Sequence, residues 1–112
     1  MKSEIRDVND VRIIELSGKI TIGTGDVKIR ELVDRSLEEG QMKILLDLAG
    51  VTAIDSSGIG EMVACYTTVT KRGGQLKLLR LSPKINDILH VTQLITVFDV
   101  LDNVQEGLAA YN

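Results

Sequence analysis

The run Lys43-Ile44-Leu45-Leu46-Asp47-Leu48 restricts the fold more than any other segment of this chain. It has the length of a strand, but its apolar residues do not alternate with polar ones. A strand covered on one face shows strict alternation, whereas one covered on both faces reads as a nearly continuous apolar run. Covering both faces of a sheet requires helices above and below it, and that arrangement belongs to parallel strands joined by helical crossovers. The rest of the sequence should therefore supply amphipathic helices on either side of this run.

It does. Glu4 to Val8 and Val11 to Leu16 are two β-rich runs separated by Asn9-Asp10, residues that tolerate left-handed backbone angles and so predict a tight hairpin. From Gly25 to Glu39 the period becomes helical. Ile29, Leu32, Val33 and Leu37 share one face, Lys28, Glu31, Asp34, Arg35 and Glu38 the other, and Gly40 is a natural stop. After the central strand, Ile59, Met62, Val63, Tyr66 and Val69 form a second helical stripe that reaches Arg72, and Gly73-Gly74 ends it. Gln75 to Leu81 predicts another strand. Ser82-Pro83 opens a short helix, with a cap followed by proline at the first helical position, and Ile85, Ile88 and Leu89 form its buried face. Val97 to Val100 predicts a last strand. Asn103 to Tyr111 predicts a last helix, with Asn103 and Glu106 at capping-box spacing and Val104, Leu108 and Tyr111 facing inward. The order ββαβαβαβα implies an α/β fold: a mixed, mostly parallel sheet packed with helices, with the first strand antiparallel at or near an edge. Residues 1–112 read as one domain.

Composition narrows the function. The chain has 112 residues, 44% of them hydrophobic, which suits a packed core, and its three aromatics (Tyr66, Phe98, Tyr111) leave that core aliphatic. A net charge of -3 gives no electrostatic attraction to nucleic acid or to an anionic membrane. One cysteine, Cys65, cannot form an internal disulfide, and with the lone His90 it cannot build a four-ligand zinc site, so no metal or other cofactor is expected. Cys65 and Met62 read as core residues, and His90 as a solvated or C-terminal capping side chain. The start of the chain lacks a signal-peptide apolar run, and no stretch nears the ~20 apolar residues of a membrane span. A cytoplasmic location without direct membrane insertion follows as an expectation.

The chemistry concentrates at Ile54-Asp55-Ser56-Ser57-Gly58-Ile59-Gly60, between the central strand and the second helix. This corner places two hydroxyls at a helix N-terminus, where unpaired amide groups and the helix dipole tolerate an added anion. The same residues also satisfy ordinary helix-capping chemistry. Gly18-Lys19-Ile20-Thr21-Ile22-Gly23-Thr24-Gly25 is glycine-rich but has neither the Gly-Lys-Ser/Thr ending of a P-loop nor the spacing of a dinucleotide fingerprint, and reads as a connecting turn.

Taken together, these segments resemble the STAS family, the sulfate transporter and anti-sigma factor antagonist domains. The resemblance rests on Ser17-Gly18 closing the second strand, Ile44 to Leu48, Val51 to Gly60 with its Asp-Ser-Ser-Gly corner, Arg72-Gly73-Gly74-Gln75-Leu76-Lys77-Leu78, and Leu94 to Val100. It covers nearly the whole chain with nothing fused to it, which points to the free-standing bacterial branch similar to anti-anti-sigma factors. That likeness implies a non-enzymatic partner switch. The unphosphorylated form binds an anti-sigma factor that is also a serine kinase of the histidine-kinase-like ATPase type, and so frees a sigma factor. Phosphorylation blocks the complex, and a serine phosphatase restores it. The acceptor carried over from the family is Ser56, directly after Asp55, with Ser57 as second choice. Thr21, Thr24, Asp55, Ser56, Ser57, Gly58 and Ile59 are the implied partner-binding residues. Where many family members carry an acidic residue near Ile20-Thr21, this chain does not.

Two rivals come from other classes. An esterase-like enzyme with a serine on a strand-to-helix corner lacks Gly-x-Ser-x-Gly and has a single histidine to draw on. The alternative within the resemblance is a regulatory or scaffold subunit of a stressosome or of a lipid-transport ATPase complex.

Overall fold

The computed structural model describes residues 1–111. Its elements are β1 (Lys2–Val8), β2 (Val11–Ile20), α1 (Gly25–Glu38), β3 (Lys43–Ile54), α2 (Ser56–Lys71), β4 (Gln75–Leu79), α3 (Pro83–Val91), a 3₁₀ turn (Leu94–Thr96), β5 (Val100–Leu101) and α4 (Val104–Ala109). The five strands lie in the order β1-β2-β3-β4-β5, with β1 antiparallel at the edge and every other pairing parallel. This is the mixed α/β architecture that the nearly continuous apolar run at 43–48 implies.

Asn9 and Asp10 make the β1–β2 turn with φ of 51° and 63°. Two consecutive left-handed residues match the twist of a hairpin, which is why this pair of short polar side chains stands there. Arg12, buried at the start of β2, ties the hairpin to the end of α1. Its guanidinium bonds both Asp7 oxygens, at 2.8 and 3.0 Å, and reaches the Glu39 carboxylate and the Ser36 hydroxyl. The same contact holds the Asp7 carboxyl below its ordinary pKa.

The two faces of β3 are buried unequally. Ile44, Leu46 and Leu48 point to the side covered by α1, α2 and α3, where Ile29, Leu32, Met62, Val69, Ile85 and Leu89 complete the main core. Cys65 belongs to it as expected. Leu45 points the other way, into a smaller cluster with Val11, Ile13, Leu79 and Tyr111 under the short α4. Each fully buried Leu or Ile contributes about 1.5–3 kcal/mol. Asp47 shares the second face and is itself buried, where its carboxylate accepts from Arg80 and from the Ala49 amide. Tyr111 lies past the end of α4 and donates its hydroxyl to the Ile44 carbonyl, near the start of β3.

Five elements differ from expectation in their bounds. β2 continues past Leu16 and Gly18 to Ile20, passing two register shifts, at Glu15/Ser17 and Gly18/Lys19, where Gly18 takes φ +102°. β3 likewise runs on to Ile54, pairing with β2 alone beyond Asp47. β4 stops at Leu79 because Arg80 turns left-handed with φ 53°. The last strand is Val100–Leu101 rather than Val97–Val100. Gln93 at φ 62° starts a tight turn, and Phe98 leaves the strand direction to enter the core, edge-on to Tyr66 at 5.4 Å. The final helix, expected from Asn103 to Tyr111, is shorter, with Asn103 as its cap. Met1, at the other end of the chain, packs beside Gly18 and Gly25.

Candidate functional site

β2 and β3 are parallel and end in register, Ile20 opposite Ile54, so the segments that follow them emerge side by side. After Ile20 comes the loop Thr21–Thr24, and after Ile54 comes the corner that opens α2. Gly18, Lys19 and Ile20, read from the sequence as part of the connecting turn, belong instead to β2. The Asp55 amide donates to the Ile20 carbonyl at 3.3 Å, adding one bond beyond the ladder.

Asp55 is the N-cap of α2, with extended backbone (φ -106°, ψ -176°). One carboxylate oxygen accepts from the Gly58 amide at 2.9 Å, as an N-cap should, and the other accepts from the Ile22 amide at 3.0 Å across the gap between the two segments. These bonds, Gly58 first and Ile22 second, pull the Asp55 carboxyl below its ordinary pKa and keep it ionised at neutral pH. Ser56 follows at the first helical position and is exposed, whereas Ser57 is half-buried. A group attached to the Ser56 hydroxyl therefore meets solvent rather than core. Ile59 is half-buried.

Gly58 is fixed by packing. A Cβ there would lie 2.3 Å from the Ile20 carbonyl oxygen and 2.7 Å from Ile54 Cγ1, so only glycine lets α2 begin this close to β2. Gly60 differs, since a Cβ would find no heavy atom within 4 Å and the residue faces outward. Sequence reasoning missed Gly25, where a Cβ would stand 2.5 Å from both Ile20 Cα and the Lys19 carbonyl oxygen. No pattern in the sequence marks such a contact, because it depends on the bulged path of β2.

The loop has its own bonds. The Thr24 amide donates to the Thr21 carbonyl at 3.2 Å, and the Thr21 and Thr24 hydroxyls bond each other at 2.9 Å. Between these threonines Ile22 is 73% exposed, and Val27 in the first turn of α1 is also exposed. One turn into α2 the buried Glu61 accepts from Arg30 at 2.5 Å and clasps α2 to α1. Thr21, Thr24, Asp55, Ser56, Ser57, Gly58 and Ile59 thus gather at one end of the sheet. A cavity of about 220 Å³ lined by Tyr66, Thr70, Gln75, Lys77 and Asp99 lies at the opposite end. Cys65 is no candidate nucleophile, because burial pushes its thiol up to about 12. His90 is exposed on α3.

The STAS domain model matches residues 2–107, and the chain belongs to the STAS domain family. Its relatives carry a more particular name. The anti-sigma F factor antagonist of Paenibacillus polymyxa is 26% identical over 109 residues, spanning 96% of this chain and 92% of that one. The crystal structure of a Thermotoga maritima protein superposes with a TM-score of 0.87 at 25% identity, covering 96% of this chain and 92% of the other. The Bacillus cell fate determinant SpoIIAA in its phosphorylated form has the same fold, with a TM-score of 0.73 at 19% identity and 96% coverage of each chain.

Proposed function

We propose that this protein is an anti-sigma factor antagonist that works by partner switching, with Ser56 as the phosphate acceptor. The observation that carries the reading is the joining of two segments into one surface: the Asp55-Ser56 corner and the Thr21–Thr24 loop, linked by the Asp55–Ile22 bond. Unphosphorylated, this surface binds an anti-sigma factor that is also a serine kinase of the histidine-kinase-like ATPase type, and a sigma factor is released. Phosphate on Ser56 adds about -1.5 to -2 charges and three acceptor oxygens to the middle of that surface. A partner packed there meets added bulk and an anion it must desolvate. Turning a complex from 99:1 to 1:99 takes about 5.5 kcal/mol of differential binding, a demand one interfacial dianion can meet. A serine phosphatase resets the switch in the cytoplasm. The names of the full-length relatives support this reading, as does the exposure of Ser56.

The test is phosphopeptide mapping of the protein isolated from its own cells, with its captured partners identified. A single phosphate on Ser56 and a kinase-type anti-sigma factor in the captured fraction are expected. A phosphate on Ser57, or on any serine outside the corner, refutes the acceptor assignment.

A further inference from the structure

At the start of α2, where a phosphate on Ser56 would seek amide donors, the Gly58 amide is already engaged. The Asp55 carboxylate takes the Gly58 amide, and the Ser57 amide also helps to hold that carboxyl ionised. The second oxygen of the same carboxylate holds the Ile22 amide. Beyond the Ile20–Ile54 pair, this is the hydrogen bond among the described residues that joins the Thr21–Thr24 loop to the corner. The other bonds of the loop are internal to it or run to α1. The most exposed side chain of the loop, Ile22, is thus held in place by a residue adjacent in sequence to Ser56.

We infer that Asp55 is a positioning residue that relays modification of the corner to the loop: phosphate on Ser56 displaces the Asp55 carboxylate from the amides it caps and thereby releases Ile22. The inference rests on the reading of Ser56 as acceptor and adds the route by which modification reaches the second half of the surface. A phosphate one residue away repels the carboxylate and is itself an anionic acceptor suited to the helix N-terminal amides. Once it takes them, Asp55 has no reason to stay over the corner. The loop keeps its internal threonine bonds, so it moves as a unit and does not unravel. The apolar side chain that the unmodified form presents at a fixed place is then no longer fixed there.

The relay can be tested on the isolated full chain, with phosphoserine installed at position 56 during synthesis so that no kinase is needed. Amide proton shifts in a ¹⁵N-labelled sample are followed from about pH 2 to 8. In the unmodified protein the Ile22 and Gly58 amides should titrate together, with one midpoint below the ordinary Asp value of 3.8. With phosphoserine, Gly58 should instead follow the second phosphate ionisation at about pH 6. Ile22 should lose its acid transition, and its exchange with solvent should speed up about tenfold or more. Asp55→Ala without phosphate should speed Ile22 exchange to the same degree. In both samples the Glu106 amide, held by the Asn103 cap that follows the edge strand β5, should keep its wild-type exchange rate, which separates loop release from general unfolding. If Ile22 still titrates with Asp55 in the phosphoprotein, the relay is wrong, even where mapping in cells places phosphate on Ser56. If mapping fails but the Ile22 transition is lost, the coupling stands and the acceptor assignment falls.

Discussion

Replacing Gly58 and Gly60 by alanine, one at a time, separates packing from helix propensity within a single helical turn. At Gly58 the new methyl would stand 2.3 Å from the Ile20 carbonyl oxygen, 2.7 Å from Ile54 Cγ1 and 2.8 Å from Ile20 Cγ2. Two of these three atoms are side-chain carbons already in the core, and the third is a backbone oxygen that accepts from Asp55. Relief therefore means moving α2 away from β2, and forced overpacking of this kind costs about 1–3 kcal/mol. Alanine returns up to about 1 kcal/mol of helix propensity, so Gly58→Ala should be net destabilising, by up to about 2 kcal/mol. At Gly60 there is no opposing contact within 4 Å, and Gly60→Ala should stabilise by about 0.5–1 kcal/mol. Urea unfolding followed by circular dichroism should resolve the pair, with midpoints shifted in opposite directions. In a thermal melt each kcal/mol corresponds to about 4–8 °C for a domain of about 100 residues. If the two variants shift in the same direction, the close approach of α2 to β2 is not what makes glycine necessary at 58.

Ser56→Asp should change stability by no more than about 1 kcal/mol, because an anion at the start of a helix is tolerated, while partner binding falls sharply; thermal melts and calorimetry check both. Thr21→Arg or Thr24→Arg should abolish partner binding with the fold intact, whereas Glu106→Lys, on α4 away from the site, should bind as wild type in the same calorimetric assay. The Cys65 thiol, pushed up to about 12 by burial, should resist a thiol reagent at pH 8 in native protein and react fully in denaturant.

Periodicity in the sequence carries the helices well, because each of the first three has an apolar stripe and a distinct start or stop signal. Gly40 ends the reach of α1 at φ +83°, and Ser82 caps α3 through the Ile85 amide. The hairpin was equally plain, since Asn9-Asp10 leaves the backbone few alternatives. The short strands were less legible. Val97-Phe98-Asp99-Val100 has strand composition, but the left-handed Gln93 and the packing of Phe98 on Tyr66 decide its path, and neither is local to those four residues. Asp47 sits within an apolar run for a tertiary reason, its pairing with Arg80 on the face that α4 covers only in part. At the site, the corner and the loop were each visible as sequence. The bond between them was not, because Ile22 and Asp55 are separated by 33 positions and meet only through the register of β2 on β3.

The opposite placement of Met1 and Tyr111 has a practical result for anyone handling the protein. Met1 lies against Gly18 and Gly25, at the end of the sheet from which the loop that carries Ile22 emerges, whereas Tyr111 is anchored to Ile44 at the other end of the sheet. An affinity tag or fluorescent protein joined ahead of Met1 emerges beside the Ser56 surface and competes for room with whatever docks there. The same cargo placed downstream of Tyr111 is kept away from that surface by the Tyr111–Ile44 anchor. Pull-down and imaging experiments should carry it at the C-terminus, since a partner lost from an N-terminally tagged sample would report the position of the tag and not the chemistry of the corner.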